Sequence, residues 1–174
     1  MDFVQDGVDL AVRMGDLKDA GLVARKLGEF TLGVFGSKAF LAAHGAPKTL
    51  DAMEAARCIG YVLPRTGRVL PWLMALPNAE FAPASKLRCA EDPRAGIVLA
   101  KAGLGLFQTY HFMVKDELAS GALVEVLKSR AGRTRRFSLV YLKDALASRA
   151  TRAVAELLVD SVARPTLPRA LKAR

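Results

Sequence analysis

The stretch FTLGVFGSKAFLAAHGAP, Phe30 to Pro47, decides how the chain is read. Phe30 to Phe35 is apolar or β-branched apart from Gly33, which is the composition of a buried strand. Gly36-Ser37 breaks that run. Ser37 is suited to cap a helix, because its hydroxyl can accept a hydrogen bond from a backbone N–H one turn ahead. In the short helix that follows, Phe40 and Leu41 face inward. Gly45 fits the position past its end, and Pro47 prevents continuation. A strand that feeds directly into a capped helix is the unit step of an α/β fold.

Outward from this stretch the same alternation continues. On the N-terminal side, Leu22 to Leu27 is strand-like and split from Phe30 by Gly28, Asp16 to Gly21 is a polar turn, and Val8 to Val12 is a strand ending at Arg13-Met14-Gly15. On the C-terminal side, Thr49 opens a helix to about Ala56, with Leu50, Met53 and Glu54 at the spacing of one face. Cys58 to Leu63 reads as a strand, Pro64-Arg65-Thr66-Gly67 as a turn, and Arg68 to Met74 as the returning strand of a hairpin, confined by Pro71 to an edge or a bulge. Ser85 to Cys89 is a further strand. Asp92 and Pro93 open a helix with Ile97, Val98, Leu99 and Ala102 buried, and Gly103 ends it. Leu104 to Thr109, Leu123 to Leu127 and Phe137 to Leu142 are strands, with a short helix from Met113 to Ala119 stopping at Gly121. Ser148 starts a last helix, with Ala150, Val154, Leu157, Leu158 and Val162 on its apolar face and Pro165 at its end. This order predicts an α/β fold with a largely parallel sheet, made mixed by the hairpin.

Composition bounds the function. With 174 residues, 52% hydrophobic and 25% charged, the chain is globular, one domain or two small lobes sharing a core. The net charge of +9 is uneven: residues 1–127 are neutral and residues 128–174 carry all of it. A basic C-terminal third can touch a polyanion or simply be a solvated surface. The run from Arg130 to Arg136 lacks interleaved aromatics, unlike a single-strand nucleic-acid binder. Cys58 and Cys89 have neither disulfide-framework density nor metal-site spacing, so both read as buried free thiols in a reducing, cytoplasmic setting. The start, Met1-Asp2, has no basic segment followed by an apolar one, and no run approaches the roughly 20 apolar residues of a membrane span. No secretory signal and no membrane partner are expected.

Catalytic chemistry has no foothold in the pattern. His44 and His111 are the two histidines, and neither has a metal-ligand neighbour at helical or strand spacing. His44 precedes a helix-ending glycine, where an imidazole can bond the last carbonyls. His111 follows Tyr110 at a strand end and reads as a loop, surface or pocket-lining residue. No G-x-S-x-G elbow and no P-loop exist. Gly103-Leu-Gly105-Leu-Phe-Gln108 lacks the third glycine of a dinucleotide fingerprint and leads into a strand, the reverse of the required context. Asp116-Glu117 is an adjacent pair that a helix turns apart. The sequence therefore reads as a non-enzyme with no cofactor and no metal. What remains favours an anion: Gly36-Ser37-Lys38 at a helix start, Arg13 at a strand end, and Arg65 and Arg68 beside a turn.

Four segments together resemble the effector-binding domain of LysR-type transcriptional regulators. They are Gly7-Val-Asp-Leu-Ala-Val-Arg13-Met-Gly15, Gly36-Ser-Lys-Ala-Phe-Leu-Ala-Ala-His-Gly-Ala-Pro47, Ala102-Gly-Leu-Gly-Leu-Phe107 and Asp116-Glu-Leu-Ala-Ser-Gly-Ala-Leu-Val-Glu-Val-Leu127. Their order and spacing carry the match, which fades after Tyr141. The resemblance implies a two-lobed periplasmic-binding-protein-like fold with mixed sheets. Residues 1–35 and 105–163 would form an incomplete first lobe, 36–104 the second, and 164–174 a basic tail. It implies a small effector, often an aromatic or aliphatic carboxylate, held in the cleft between lobes. Arg13, Ser37 and Tyr61 would line it, with Gln108 and Thr109 near the returning hinge, and Arg65 joins them as an effector-binding candidate on its charge alone. The family's winged helix-turn-helix, linker helix and opening first-lobe elements have no counterpart here, and Leu142 and Val154 stand where proline and phenylalanine are common. On this pattern the chain is the truncated sensing portion of a regulator whose parent binds DNA through its N-terminal domain and is a homo-oligomer. The rival readings are a soluble small-molecule binding protein of the same fold without a DNA role, a small α/β enzyme, and a nucleic-acid binder acting through residues 128–174.

Overall fold

The computed structural model describes residues 3, 5, 7–15, 21–54, 56–64, 66–75, 78–129 and 132–163, without the side chains of Glu54 and Ala163. Regular structure begins with β1 (Leu10–Met14) and β2 (Leu22–Ser37). β2 is one unbroken strand of 16 residues, so Gly28 does not split it as expected. A glycine weakens a strand but does not stop one when both flanks keep their ladder partners. The strand runs into α1 (Lys38–His44) and is followed by α2 (Leu50–Glu54), β3 (Ile59–Val62), β4 (Trp72–Met74), β5 (Ala79–Phe81), β6 (Leu87–Ala90) and α3 (Arg94–Lys101). The last third contains β7 (Phe107–Tyr110), a 3-10 turn at His111–Val114, α4 (Lys115–Ala119), β8 (Leu123–Val126), β9 (Thr134–Leu142) and α5 (Arg149–Ala163).

Two compact units emerge, residues 30–134 and residues 1–29 with 135–174. In the larger unit β2 is central: Leu32 to Phe35 pair antiparallel with β7, and Val34 to Ser37 pair antiparallel with β8. Every residue from Leu32 to Ser37 is buried. Because a strand alternates its faces, Val34 and Phe35 point into different cores. Val34 packs with Phe40, Met53, Cys58, Trp72, Met74 and Leu106. Phe35 packs with Ile59, Ile97, Ala100, Phe107, Val114 and Leu123.

The expected largely parallel sheet is a correction. Among the described residues, β3 with β6 and a bridge from Cys58 to Leu106 pair in parallel, while β2 with β7 and β8, β1 with β9, and β4 with β5 are antiparallel. Helices intervene between β2 and β7 and between β7 and β8, yet both strands run antiparallel to β2, so strand–helix alternation alone does not fix strand direction. The hairpin after β3 is also reduced. Gly67 N–H closes the turn on the Leu63 carbonyl at 2.9 Å, and Leu70 N–H reaches the Tyr61 carbonyl at 2.7 Å. Beyond that, Pro71 offers no N–H. The returning segment leaves β3 and pairs as β4 with β5, and β3 takes β6 as its partner.

In the smaller unit β1 pairs antiparallel with β9, from Leu10 opposite Tyr141 to Met14 opposite Phe137. α5 covers this sheet, and Leu139, Tyr141 and Ala155 form its core with Leu10, Leu27 and Leu158 around them. The first strand lies two residues later than the expected Val8 to Val12. The buried face of α5 is also rotated. Thr151 and Ala155 are buried, whereas Val154 and Leu157 are 49% and 68% exposed. A small residue at 155 lets the helix approach the sheet closely, and that contact sets the rotation against the more apolar stripe. The expected stop at Pro165 lies outside the described residues, as do Asp16 to Ala20 of the polar turn.

Cys58 and Cys89 are free thiols, Cys58 buried and Cys89 half-buried. Burial pushes the Cys58 thiol up to about 12. An acid that titrates higher in the folded state than in the unfolded chain weakens folding as pH rises. Its contribution is intact below 9.0 and is lost as pH approaches about 12. Urea unfolding as a function of pH should therefore show a loss of stability above about pH 9 that Cys58→Ala shows to a smaller extent. In the smaller unit, Leu139→Ala should cost about 2–5 kcal/mol. Leu157→Gln should stay within about 0.5 kcal/mol of the parent in the same urea titration. The reverse order would restore the expected helix face.

Candidate functional site

Within the larger unit, the end of β2, β3 and β7 carry four of the residues expected to bind an effector. Ser37 is the last residue of β2 and the N-cap of α1, with φ −73° and ψ 153°. It is 4% exposed, and its hydroxyl accepts a hydrogen bond from Phe40 N–H at 3.2 Å. The local sequence dictates this, since a serine ending an apolar strand satisfies a helix donor that otherwise lacks a partner.

Gln108 and Thr109 sit on β7, opposite Val34 and Gly33 of β2. The Gln108 amide acts as a piece of strand. Its Oε1 accepts from Leu73 N–H at 2.8 Å, and its Nε2 donates to the Leu73 carbonyl at 3.1 Å. One side chain thus satisfies both backbone groups of a residue in the short strand β4. Thr109 is buried and donates its hydroxyl to the sulfur of Met113 at 3.4 Å. Tyr61, on β3, donates its hydroxyl to the Glu91 carbonyl at 3.0 Å. Glu91 has φ +63°, a left-handed conformation uncommon for a non-glycine residue, and the phenol holds its peptide in place. Arg13 belongs to the smaller unit, where its backbone is opposite Ser138. Arg65 lies outside the described residues.

The sequence reading underrated His111. Its Nδ1 lies 3.0 Å from the Thr31 carbonyl and its Nε2 lies 3.0 Å from Glu125 Oε1. A carbonyl only accepts, so the Nδ1–H donates to Thr31, and the opposite nitrogen faces the Glu125 carboxylate. The ring ties the end of β7 to both β2 and β8, and it packs near-perpendicular to Phe35 with ring centroids 5.3 Å apart. Gly33 makes room for this: a Cβ there would stand 2.8 Å from Glu125 Oε1 and 2.9 Å from His111 Cε1. Only Gly33 in the middle of an apolar strand hinted that a side chain crosses over it. His44 behaves as expected, with Nδ1 3.1 Å from the Phe40 carbonyl. No cluster of three or more potential metal ligands occurs among the described residues.

Residues 1–163 match the family model described as the LysR substrate binding domain. The chain belongs to the LysR substrate-binding domain family. It is 27% identical over 164 residues to the HTH-type transcriptional regulator CrgA of Neisseria meningitidis serogroup B, covering 93% of this chain and 54% of CrgA. It is 33% identical over 165 residues to an HTH-type transcriptional regulator of Xanthomonas campestris pv. campestris, covering 91% of this chain and 47% of that protein. The chain thus spans about half the length of the curated relatives it matches. The solved regulatory domain of CrgA superposes with TM-score 0.79 at 25% identity, over 91% of this chain and 78% of that domain. Full-length AphB of Vibrio cholerae, 20% identical with TM-score 0.76 over 92% of this chain and 53% of that one, shares the fold. The two-lobed periplasmic-binding-protein-like class with mixed sheets, expected from the sequence, is the fold of these LysR domains.

The Gln108 clamp sets a specific expectation. Gln108→Ala leaves the half-buried Leu73 N–H without its partner and its carbonyl with only the Arg133 N–H at 3.3 Å, and should cost about 1–3 kcal/mol in urea unfolding. Gln108→Glu keeps only an acceptor and should fall between the two. Wild-type stability in Gln108→Ala would contradict the clamp.

Proposed function

We propose that this LysR substrate-binding domain senses a small carboxylate-bearing molecule and transmits its binding to a transcriptional regulator of which it is a part. The family match over residues 1–163 is the observation that carries this reading. The anion-friendly chemistry of the sequence adds the ligand class: an arginine at Arg13 and a serine-capped helix start at Ser37 are suited to a carboxylate. The proposal divides the chain into lobes 36–104 and 1–35 with 105–163, followed by a basic tail at 164–174. The effector would lie in the cleft between those lobes, against Arg13, Ser37, Tyr61 and Arg65, with Gln108 and Thr109 near the hinge. Ligand binding would act by favouring one arrangement of the lobes over another, a population shift without covalent chemistry.

DNA contact belongs, in this reading, to an N-terminal helix-turn-helix of the parent, as the names of the relatives suggest. The parent would be a cytoplasmic homo-oligomer. No helix among the described residues is long and apolar enough to cross a membrane.

Thermal unfolding against a panel of small carboxylic acids and their amides tests the reading. At least one acid should raise the Tm saturably, by several degrees at a hundredfold excess over its Kd, where binding contributes about 2.7 kcal/mol. Arg13→Gln should remove most of that shift. Amides that match their acids, or an undiminished shift in Arg13→Gln, would contradict carboxylate recognition in the cleft.

A further inference from the structure

The His111 ring and the Glu125 carboxylate meet where three strands of the larger unit come together. Glu125 lies on β8 directly opposite Phe35, so its side chain shares with that buried ring one face of the sheet. The Glu125 side chain is 14% exposed and that of His111 38%. A carboxylate this enclosed needs a partner, because burying it alone is costly. Gly33 makes the room for one, since a Cβ there would collide with both Glu125 Oε1 and His111 Cε1.

A neutral imidazole cannot make both of the ring's contacts. The Thr31 carbonyl at Nδ1 and the Glu125 carboxylate at Nε2, each 3.0 Å away, are acceptors only. A neutral ring has one N–H and satisfies one of them. With that hydrogen on Nδ1, Nε2 turns a lone pair toward a carboxylate lone pair at hydrogen-bond distance. One added proton converts this repulsion into a charge-assisted hydrogen bond. The same proton decides how the strands are joined. With it the ring ties the end of β7 to both β2 and β8, and without it the tie to β8 is lost.

The charged neighbours leave the pair to itself. β2 presents to it the Thr31 carbonyl, Gly33 and the Phe35 ring, and farther down that strand Lys26 and Glu29 pair with each other at 2.6 Å. Tyr110 is the titratable residue of β7, and the 3-10 turn at His111–Val114 adds Phe112, Met113 and Val114. α4 packs beside β8 and the turn; its Lys115 and Asp116 are exposed, and its Glu117 is paired with Lys101 at 3.1 Å.

We propose that His111 and Glu125 form a proton-operated latch, an input to this domain separate from any effector. A proton taken up from solvent closes β7 onto β8, and its loss as pH rises opens that contact. The strand it fixes also carries Gln108, whose amide holds the backbone of Leu73. The latch does not rest on the effector reading.

Urea unfolding of the 174-residue chain from about pH 5.5 to about pH 8.5, the range in which imidazoles titrate, tests the latch. Within it the Cys58 thiol, pushed up to about 12, stays protonated. The closed contact needs its proton, so the parent's folding equilibrium constant should fall as pH rises. The fall should be about threefold to tenfold, the worth of one partly exposed charge-assisted hydrogen bond. Glu125→Gln should remove it, because an amide accepts from the charged ring through its oxygen and donates to the neutral ring through its nitrogen. His111→Gln should flatten the profile as well, which decides the matter should Glu125→Gln not fold. His44→Gln, at the ring that bonds the Phe40 carbonyl, should keep the parent's profile. The proposal is overturned if the parent's stability is level over this range, if Glu125→Gln and His111→Gln keep the parent's slope, or if His44→Gln abolishes it.

Discussion

Everything in the larger unit depends on one strand buried on both faces and both edges. Residues Leu32 to Ser37 of β2 have β7 along one edge and β8 along the other, with a separate apolar cluster on each face. A strand so enclosed has no solvent for its backbone, so every N–H and C=O must find a ladder partner. It also leaves little room for side chains that must cross it. Gly33 resolves that conflict on one face, where His111 and Glu125 meet above it. The residues proposed to bind an effector inherit their positions from this arrangement. Ser37 is where β2 ends, and Gln108 and Thr109 are where its neighbour is pinned to it.

Much of this was legible in the sequence because local chemistry decided it. Ser37 capping, the helix stop at Gly45 and the carbonyl contact of His44 follow from residues within one turn of each other, and the free state of both cysteines from their small number and spacing. The family was legible too, since four spaced segments carried it and the match spans residues 1–163. Strand direction was not. Alternating strand and helix signals suggest parallel crossovers, but the direction of a strand after a helix is decided by pairing between distant residues, such as Phe35 with Phe107 and Glu125.

Side-chain roles were the least legible part. Gln108 looked like a polar residue near a hinge, yet its amide is used on the backbone of Leu73, 35 residues away. His111 looked like a strand-end residue, yet it joins Thr31 and Glu125. Neither partner has any signature at the position of the other. The rotation of α5 failed for a related reason. Hydrophobicity along a helix ranks Val154 and Leu157 as inward, but close approach to a sheet favours the small Ala155.

The dependence on β2 is tested most directly by native-state amide hydrogen exchange. The account predicts that the amides of Val34, Phe35 and Gly36 are among the slowest in the chain, exchanging only on global unfolding of the larger unit, while amides of β1 in the smaller unit exchange faster. Exchange at Val34 to Gly36 as fast as in β1 would contradict it, because the strand that positions the site residues would then open independently of the fold it is said to hold together.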